Sequence, residues 1–526
     1  MDKTLLEKAL ELTKNSEFLE AEKIYTDMLE AEPENYVLLS TVGLFYISQR
    51  NFNKASYYLE KSCNINETAG NVTAYGISEF ERKNFKNSAI ILERALEFIQ
   101  TEEIYQKLII SFFNINHFQK ALYYANQMCE KFPDNKDAIN YKIKALIRTG
   151  ELREAERICV ELLKTNRDNS VLWIQLGFLK ELLYCDDNQA CECFKIATEL
   201  GNKNGLYNLA VSYVKQGNYK EAENYYKKML EIIPNHNDTL VSLGMCYLKQ
   251  KRFEEGYKLL SLREKTPIEL RFNNFYDYKT PLEKEIQVFG DQGFGDNIMF
   301  SRYLPELQKS GKKFTVITRP QLCQLFKSNF NEFNFITLEN ANPDIQTVRL
   351  SELPFILNLD FDNIPYSSGY LRAEKKVIES DKIKVGLCWE AGSAGIRTML
   401  GRTINIKLFE PFFEKSNIQV YSFQVNDSMN GNNRYPQMIN LAKEFEDFND
   451  TAKALMAMDV VITVDTALAH LSGALGKKTY LLLPYASDWR WFEDDKTTPW
   501  YDSVKIFKQT KASDWKNVLE EILQDF

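Results

Sequence analysis

From residue 1 to about 260 the apolar positions recur at helical spacing and, on a longer scale, in steps of 34 and 33 residues. A large apolar residue is followed by a small one three positions on and a large one four beyond that: Phe18, Ala21, Tyr25, then Phe52, Ala55, Leu59, then Phe85, Ser88, Leu92. The series continues through Phe118 and Ala121, Leu152 and Ala155, Ala190 with Phe194 and Ala197, Tyr219 with Ala222 and Tyr226, and Phe253 with Gly256. That spacing puts the three residues on one helix face, with the small one where a neighbouring helix can approach. A second register marks the other helix of each pair, with glycine at the contact: Gly43, Gly76, Gly177 and Gly244. Pro33, Pro133 and Pro234 each stand twelve residues after the small residue, where the helix should stop. The pattern predicts a solenoid of about seven helix pairs over residues 1–262, each burying its apolar face against the next.

The unit resembles the tetratricopeptide repeat (TPR), of which "WIQLG" and "ACECFKIA" are the clearest local copies. The resemblance implies a concave groove that takes an extended peptide or another protein. The alternative is a solenoid that only dimerises, giving a homo-oligomer, or props up the second half.

After "KTPIELRFNNFYDYKTPLEKE", with Pro267 and Pro281, the period disappears, and residues 263–285 read as a linker. Strand-like runs then alternate with helical ones, the mark of a parallel sheet with crossovers. One set runs from Ile286 through "KKFTVITR" toward Phe355, predicting a Rossmann-like domain over 286–375. A second begins at "KIKVGLCWEAG", continues with "IQVYSFQ" and "VVITVDTALAHLSGALGKKTYLLLP", and ends in the helical tail "ASDWKNVLEEILQDF", predicting another over 376–526. Ligands are expected in the cleft between them, at the carboxyl ends of the strands. Separate cores make a fragment from about residue 265 an expected self-sufficient unit.

The stretch "VFGDQGFGDNIMF" leads from the first strand through three glycines into a helix, yet Asp296 stands near the helix start, where a bound anion would be expected. It is not a dinucleotide fingerprint. The third position is Gln292, the glycines at 293 and 295 fall fourth and sixth, and the second strand ends in Arg319 instead of a ribose-binding acid. Hydride chemistry is therefore not expected.

Composition narrows the classes further. A net charge of −8 and a pI near 5.4 argue against a broad nucleic-acid surface. The amphipathic opening "MDKTLLEKALELTKNSEF" predicts neither signal peptide nor anchor, and no run approaches the roughly 18 apolar residues of a membrane span. Nine cysteines without a CxxC pair, and only His117, His236 and His470, give no zinc pattern. Cys185, Cys191 and Cys193 read as packing thiols, and the odd count fits a reducing cytoplasm.

The second half, from about Ile286 to Gln509, resembles the inverting GT-B glycosyltransferases of the heptosyltransferase type (family 9). The motifs are "GDQGFGDNIMFSRYLP", "DFNDTAKALMAMDVVITVDTALAHLSGALGKKTYLLLP" and "DWRWFEDDKTTPWYDSVKIFKQ". The whole plan is similar to protein O-GlcNAc transferases and to repeat-bearing bacterial flagellin glycosyltransferases. The resemblance implies a GT-B fold, two Rossmann-like domains facing a cleft, with the nucleotide sugar mainly on the second. Asp296 then corresponds to the general base that takes the acceptor hydroxyl proton; the alternative is a helix cap. In the acceptor loop Gln292, Gly293 and Gly295, the glycines would let backbone approach the sugar.

The resemblance further implies that the N–H groups of Ala467 and Leu468, with the Thr466 hydroxyl, hold the departing diphosphate; in an ordinary βα unit Asp465 or Thr466 would simply cap the helix. His470 either reaches phosphate or sugar or packs in the core. Arg402 meets the phosphates, with Arg397 as a substitute, and Trp389, Ser393 and Thr403 line the same pocket. Gln424 either contacts base or ribose or is a polar strand end. In "DDKTTPWY" Lys496 takes the family's basic place, with Thr498 before Pro499. Asp360 and Asp362 of "LDFDN" read as a surface turn, so no metal and no cofactor are expected.

The function expected is transfer of a sugar from a nucleotide sugar to a Ser or Thr hydroxyl of a groove-bound protein in the cytoplasm, flagellin being one candidate. The rivals are a transferase acting on a saccharide or lipid-linked glycan, and a TPR scaffold with an inactive nucleotide-sugar domain.

Overall fold

A computed structural model describes the chain except residues 1, 185, 360–363, 393–400, 429, 493–495 and 512–513. The chain forms two compact units, Met1–Tyr184 and Cys185–Phe526. In the first, helices from Lys3–Lys14 to Ser170–Tyr184 pack in antiparallel succession. The expected small residues Ala21, Ala55, Ser88, Ala121 and Ala155 are completely buried. At Gly76 even a methyl group would come within 2.6 Å of Leu92 Cδ2, so the glycine marks a true close approach. Each pair turns through one left-handed residue, Ser16, Arg50, Lys83, Asn116 and Gly150, two positions before the second helix. Four of these five are not glycine, so the turn accepts a cost of about 1–2 kcal/mol each that packing of the pair must offset. The aromatic pairs stack in the same register: Tyr46 on Tyr58 and Phe112 on Tyr124, at 5.5 and 5.7 Å.

The second unit begins with further paired helices, from Asp187–Glu199 to Phe253–Ser261. Two sheets follow. The smaller contains β1 (Glu285–Phe289), β2 (Lys313–Ile317), β3 (Asn334–Ile336) and β4 (Thr347–Arg349) in the order β3-β2-β1-β4, all parallel. The larger contains β5 (Ile383–Cys388), β6 (Ile418–Ser422), β7 (Ile439–Asn440), β8 (Val460–Val464), β9 (Thr479–Leu483), β10 (Thr497–Thr498) and β11 (Tyr501–Lys508). Its order is β10-β11-β9-β8-β5-β6-β7, with only β10 antiparallel. Strands buried on both faces read as continuous apolar runs, as "VVITV" and "TYLLL" do. The tail helix Lys516–Leu523 seals the larger sheet through Val518, Leu519 and Ile522. Among the described residues no helix is long and apolar enough to cross a membrane.

Residues 263–285, read as a linker, fold onto the smaller sheet. Phe275 bridges to Thr347 beside β4, Tyr276 N–H donates to the Thr347 carbonyl at 2.9 Å, and Phe272 and Phe275 pack on Phe289 and Ile317. The segment covers an otherwise open sheet edge, which an exposed strand would leave unpaired. Glu269 within it is buried against Arg349, at 2.6 Å. Nor do the sheets keep separate cores. One apolar cluster includes Val288 and Val316 of the smaller sheet, Val461 and Leu481 of the larger, and Leu248, Phe253 and Tyr257 of the last helix pair. Arg302, fully buried, ties the sheets together: its Nε donates to Met299 O at 3.0 Å and its Nη1 to Trp500 O at 2.8 Å.

The divide between units at residue 185 replaces the expected cut near 265. A chain begun at 185 should give one cooperative melt by circular dichroism. Begun at 265, it lacks Phe253 and Tyr257 and should show no sharp melt; an equally sharp transition would contradict the shared core.

Candidate functional site

The site gathers where β1, β8 and β9 end. After β1 the loop is held from inside: Asn297 Nδ2 donates to the carbonyls of Gln292 and Gly293, at 3.2 and 2.9 Å, and fills the space a side chain at Gly290 would need. Arg319, at the end of β2, donates to Gln292 O at 3.0 Å and lies over the Phe294 ring. The Gln292 amide donates to Asp291, which also binds Arg263 at 2.8 Å and the Ser351 hydroxyl at 2.8 Å.

Asp296 lies in the first turn of the Phe294–Ser301 helix, but the cap position is Gly293, and no side chain caps there. The capping alternative for Asp296 is thereby corrected: three positions past the cap, its carboxylate is drawn to Arg490 Nη2, 2.5 Å away, instead of to the helix end. Burial pushes the Asp296 carboxyl above its ordinary range, opposed by the Arg490 charge. The glycine at 295 is also explained by packing instead of by sugar: an added Cβ would lie 2.7 Å from His470 Cδ2 and 3.3 Å from Ala467 Cα.

Arg490 sits in a short turn, Trp489–Trp491, after β9. Its Nη1 reaches Asp488 Oδ1 at 2.6 Å, and its guanidinium lies over Trp489. The nearby carboxylates Asp296, Asp488 and Asp465 hold it firmly charged although burial opposes the charge. Beside it, Trp491 Nε1 donates to Asp465 Oδ1 at 2.9 Å, and Arg402 Nη1 lies 3.4 Å from Asp465 Oδ2. Burial, reinforced by Asp488, raises the Asp465 carboxyl.

Thr466 is the cap of the Ala467–Ala474 helix, its hydroxyl accepting the Leu468 N–H at 3.3 Å. That hydroxyl and that N–H therefore satisfy each other. His470 is a core residue: Nδ1 lies 3.1 Å from the Tyr501 hydroxyl, and the ring stacks on Trp491 at 5.0 Å.

Two further expectations change. Gln424 accepts at Oε1 from Trp389 N–H and Glu390 N–H, at 3.1 and 2.9 Å, and donates from Nε2 to Glu390 O and Asn426 O. Its amide stitches the ends of β5 and β6 together and is spent on backbone, so it does not face a base or ribose. Trp389 is completely buried beneath Gly431 and lines core instead of pocket. Lys496 is exposed and pairs with Glu521. Ser393, Arg397, Asp360 and Asp362 lie outside the described residues, as does Cys185, while Cys191 and Cys193 are buried. Among the described residues no three His, Cys, Asp or Glu side chains gather as metal ligands.

Arg402 and Arg490, both beside Asp465, each keep a buried Nε with no hydrogen-bond partner among the described residues, and Thr403, next to Arg402 in the chain, has a buried Oγ1 in the same state. A buried donor left unpaired costs on the order of 1–3 kcal/mol, so such a cluster points to an acceptor-rich ligand. Sequence reasoning missed Arg490 and Asp488. The available signal was "DWRW": a lone arginine between two tryptophans is headed for burial and needs acids.

The site sets opposite pH limits. The buried His470 is pushed down from 6.5 to about 3 by burial, so its share of stability is complete above 6.5 and is lost as pH falls toward 3, by up to about 1.4 kcal/mol per unit. Glu352, raised to about 8 by burial despite Arg263, contributes below its ordinary 4.5 and loses that share as pH rises through 8. In melts of the full chain, His470→Gln should soften the acid slope and Glu352→Gln the alkaline one. Unchanged slopes in both variants would refute these assignments.

Residues 204–236 match the tetratricopeptide repeat family. A curated relative, the Sol locus transcriptional repressor of Clostridium acetobutylicum, is 34% identical over 100 residues, 19% of this chain and 30% of that protein. Protein FlbA of Caulobacter vibrioides is 22% identical over 287 residues, 46% of this chain and 47% of that protein. The chain thus spans under a third of the first and about half of the second. Similar solved structures include a tetratricopeptide repeat protein from Parabacteroides merdae, 14% identical with a TM-score of 0.38, covering 46% of this chain and 98% of that one. The C-terminal part of a TPR repeat-containing protein from Cytophaga hutchinsonii is 14% identical with a TM-score of 0.35, covering 44% and 97%. The chain thus carries a tetratricopeptide repeat at residues 204–236, within a run of paired helices that two mainly parallel sheets follow.

Proposed function

We propose that the α/β half is an inverting GT-B glycosyltransferase and that the repeats present it with a polypeptide, so that a sugar passes from a nucleotide diphosphate sugar to a Ser or Thr hydroxyl. The observation that carries the reading is the meeting of Asp296 with the unpartnered Nε donors of Arg402 and Arg490 around one ion network. A transferase of this kind needs both parts: a base for the attacking hydroxyl, and donors for the charge that grows on the diphosphate. In one displacement the acceptor oxygen bonds to the anomeric carbon while the bond to the diphosphate breaks. Asp296 takes the hydroxyl proton, and the bond electrons leave with the diphosphate, facing Arg402 and Arg490. Attack from the face opposite the leaving group inverts the anomeric carbon. Solenoids of this type commonly hold extended peptides in their concave face.

A second reading, a scaffold whose α/β half does no chemistry, is favoured by the close seating of Gly295 on Ala467 and by the Thr466–Leu468 cap, which occupy the start of the anion-binding helix.

The two readings part on Asp296→Asn. The amide keeps shape and one hydrogen bond to Arg490 but takes no proton, so transfer to protein should fall by about 10² to 10⁴ while nucleotide binding persists. The assay is radiolabelled sugar incorporation from a panel of sugar nucleotides into proteins of the source cells. Wild-type turnover by a folded Asn variant would remove Asp296 as base; no transfer by wild type from any donor would favour the scaffold.

A further inference from the structure

Lys249 is a buried lysine. It closes the Asn237–Lys249 helix, in the last repeat, and its ammonium lies 2.9–3.0 Å from four acceptors on one segment: Ser487 O, Ser487 Oγ, Asp488 O and Phe492 O. An ammonium has three protons to donate, so the segment wraps closely around it. Placing a charge in the interior is costly unless it is well bonded, and these four acceptors lie on the stretch that carries Arg490 and Trp491. The neighbouring helix adds Phe253, whose ring lies 6.5 Å from Trp489 and 6.3 Å from Trp500, and Lys251 lies over Phe492. The far side of the same stretch binds Asp296 and Asp465.

We propose that Lys249 is a positioning residue through which the last helical repeat fixes Arg490 against Asp296, making that repeat part of the α/β site. The proposal deepens the transferase reading and its chemical readout rests on it, but the geometric readout does not. Displacing a repeat helix moves Lys249, and with it the turn from Ser487 to Phe492. Arg490 then shifts relative to Asp296, which also feels Asp488 and Asp291. With the Arg490 charge further off, Asp296 holds its proton to higher pH, so polypeptide loading of the solenoid has a direct route to the base.

The test labels the tryptophans of the full chain with 5-fluorotryptophan and follows their fluorine resonances in Lys249→Met and in the milder Ser487→Ala. Lys249→Met should move the Trp489 and Trp491 signals while Trp173 and Trp515 stay in place, and Ser487→Ala should move the same two by less. In the transfer assay Lys249→Met should shift the acid limb of the rate profile upward, a change that simple loss of packing would not give. Unmoved Trp489 and Trp491 signals in both variants overturn the proposal. So does collapse of every signal in Lys249→Met combined with an unmoved pair in Ser487→Ala. If the pair moves but neither wild type nor variant transfers sugar, the positioning role stands and the transferase reading falls.

Discussion

One guanidinium organises the α/β half. Arg490 is only 15% exposed, and Asp296 and Asp488 are its ion-pair partners from different parts of the chain. A buried ion pair contributes little net stability, but removing one partner strands the others at a cost of about 3–5 kcal/mol. The elements that bring the acids must therefore meet at one point: the helix after β1 with Asp296, the strand end of β8 with Asp465, and the turn after β9 with Asp488 and Arg490. The close contact of the Phe294–Ser301 and Ala467–Ala474 helices, made through Gly295, follows from that demand.

The same constraint answers why a glycine loop should carry a negative charge near its helix start. The acid is matched within the protein by Arg490, and the glycine at 295 makes room for His470. Charge balance also accounts for the neighbouring cluster of Arg263, Asp291, Glu269 and Arg349, in which segment 263–285 supplies two members. These ions draw the supposed linker into the fold. They join the segment that follows the last repeat to the smaller sheet.

The solenoid was legible because its information is local: a small residue at a fixed place in each helix, repeated many times, leaves one packing. Parallel strands were legible for a similar reason, as continuous apolar runs between helical ones. The site was legible only in part. Asp296, Arg402 and Asp465 do converge, and their loops could be placed from the strand ends. Gln424 and Trp389 misled because a polar or aromatic residue at a strand end reads alike whether it serves backbone or ligand. Lys249 was missed because its partners lie far away in sequence, as does the Asp296 partner of Arg490, and long-range pairing leaves no periodic trace. The two prolines of 263–285 signalled a loop correctly, but Phe272 and Phe275 decided where it packs.

The unpartnered donors beside Asp465 make the central claim measurable without knowing the acceptor. Calorimetric titration of the full chain with UDP, GDP, ADP and CDP should find one nucleoside diphosphate that binds with a Kd near about 1 μM, some 8 kcal/mol, and that loses at least about tenfold with Arg402→Ala. Failure of all four to bind, or equal binding by the Arg402 variant, would contradict a diphosphate site built on Arg402, Thr403 and Arg490.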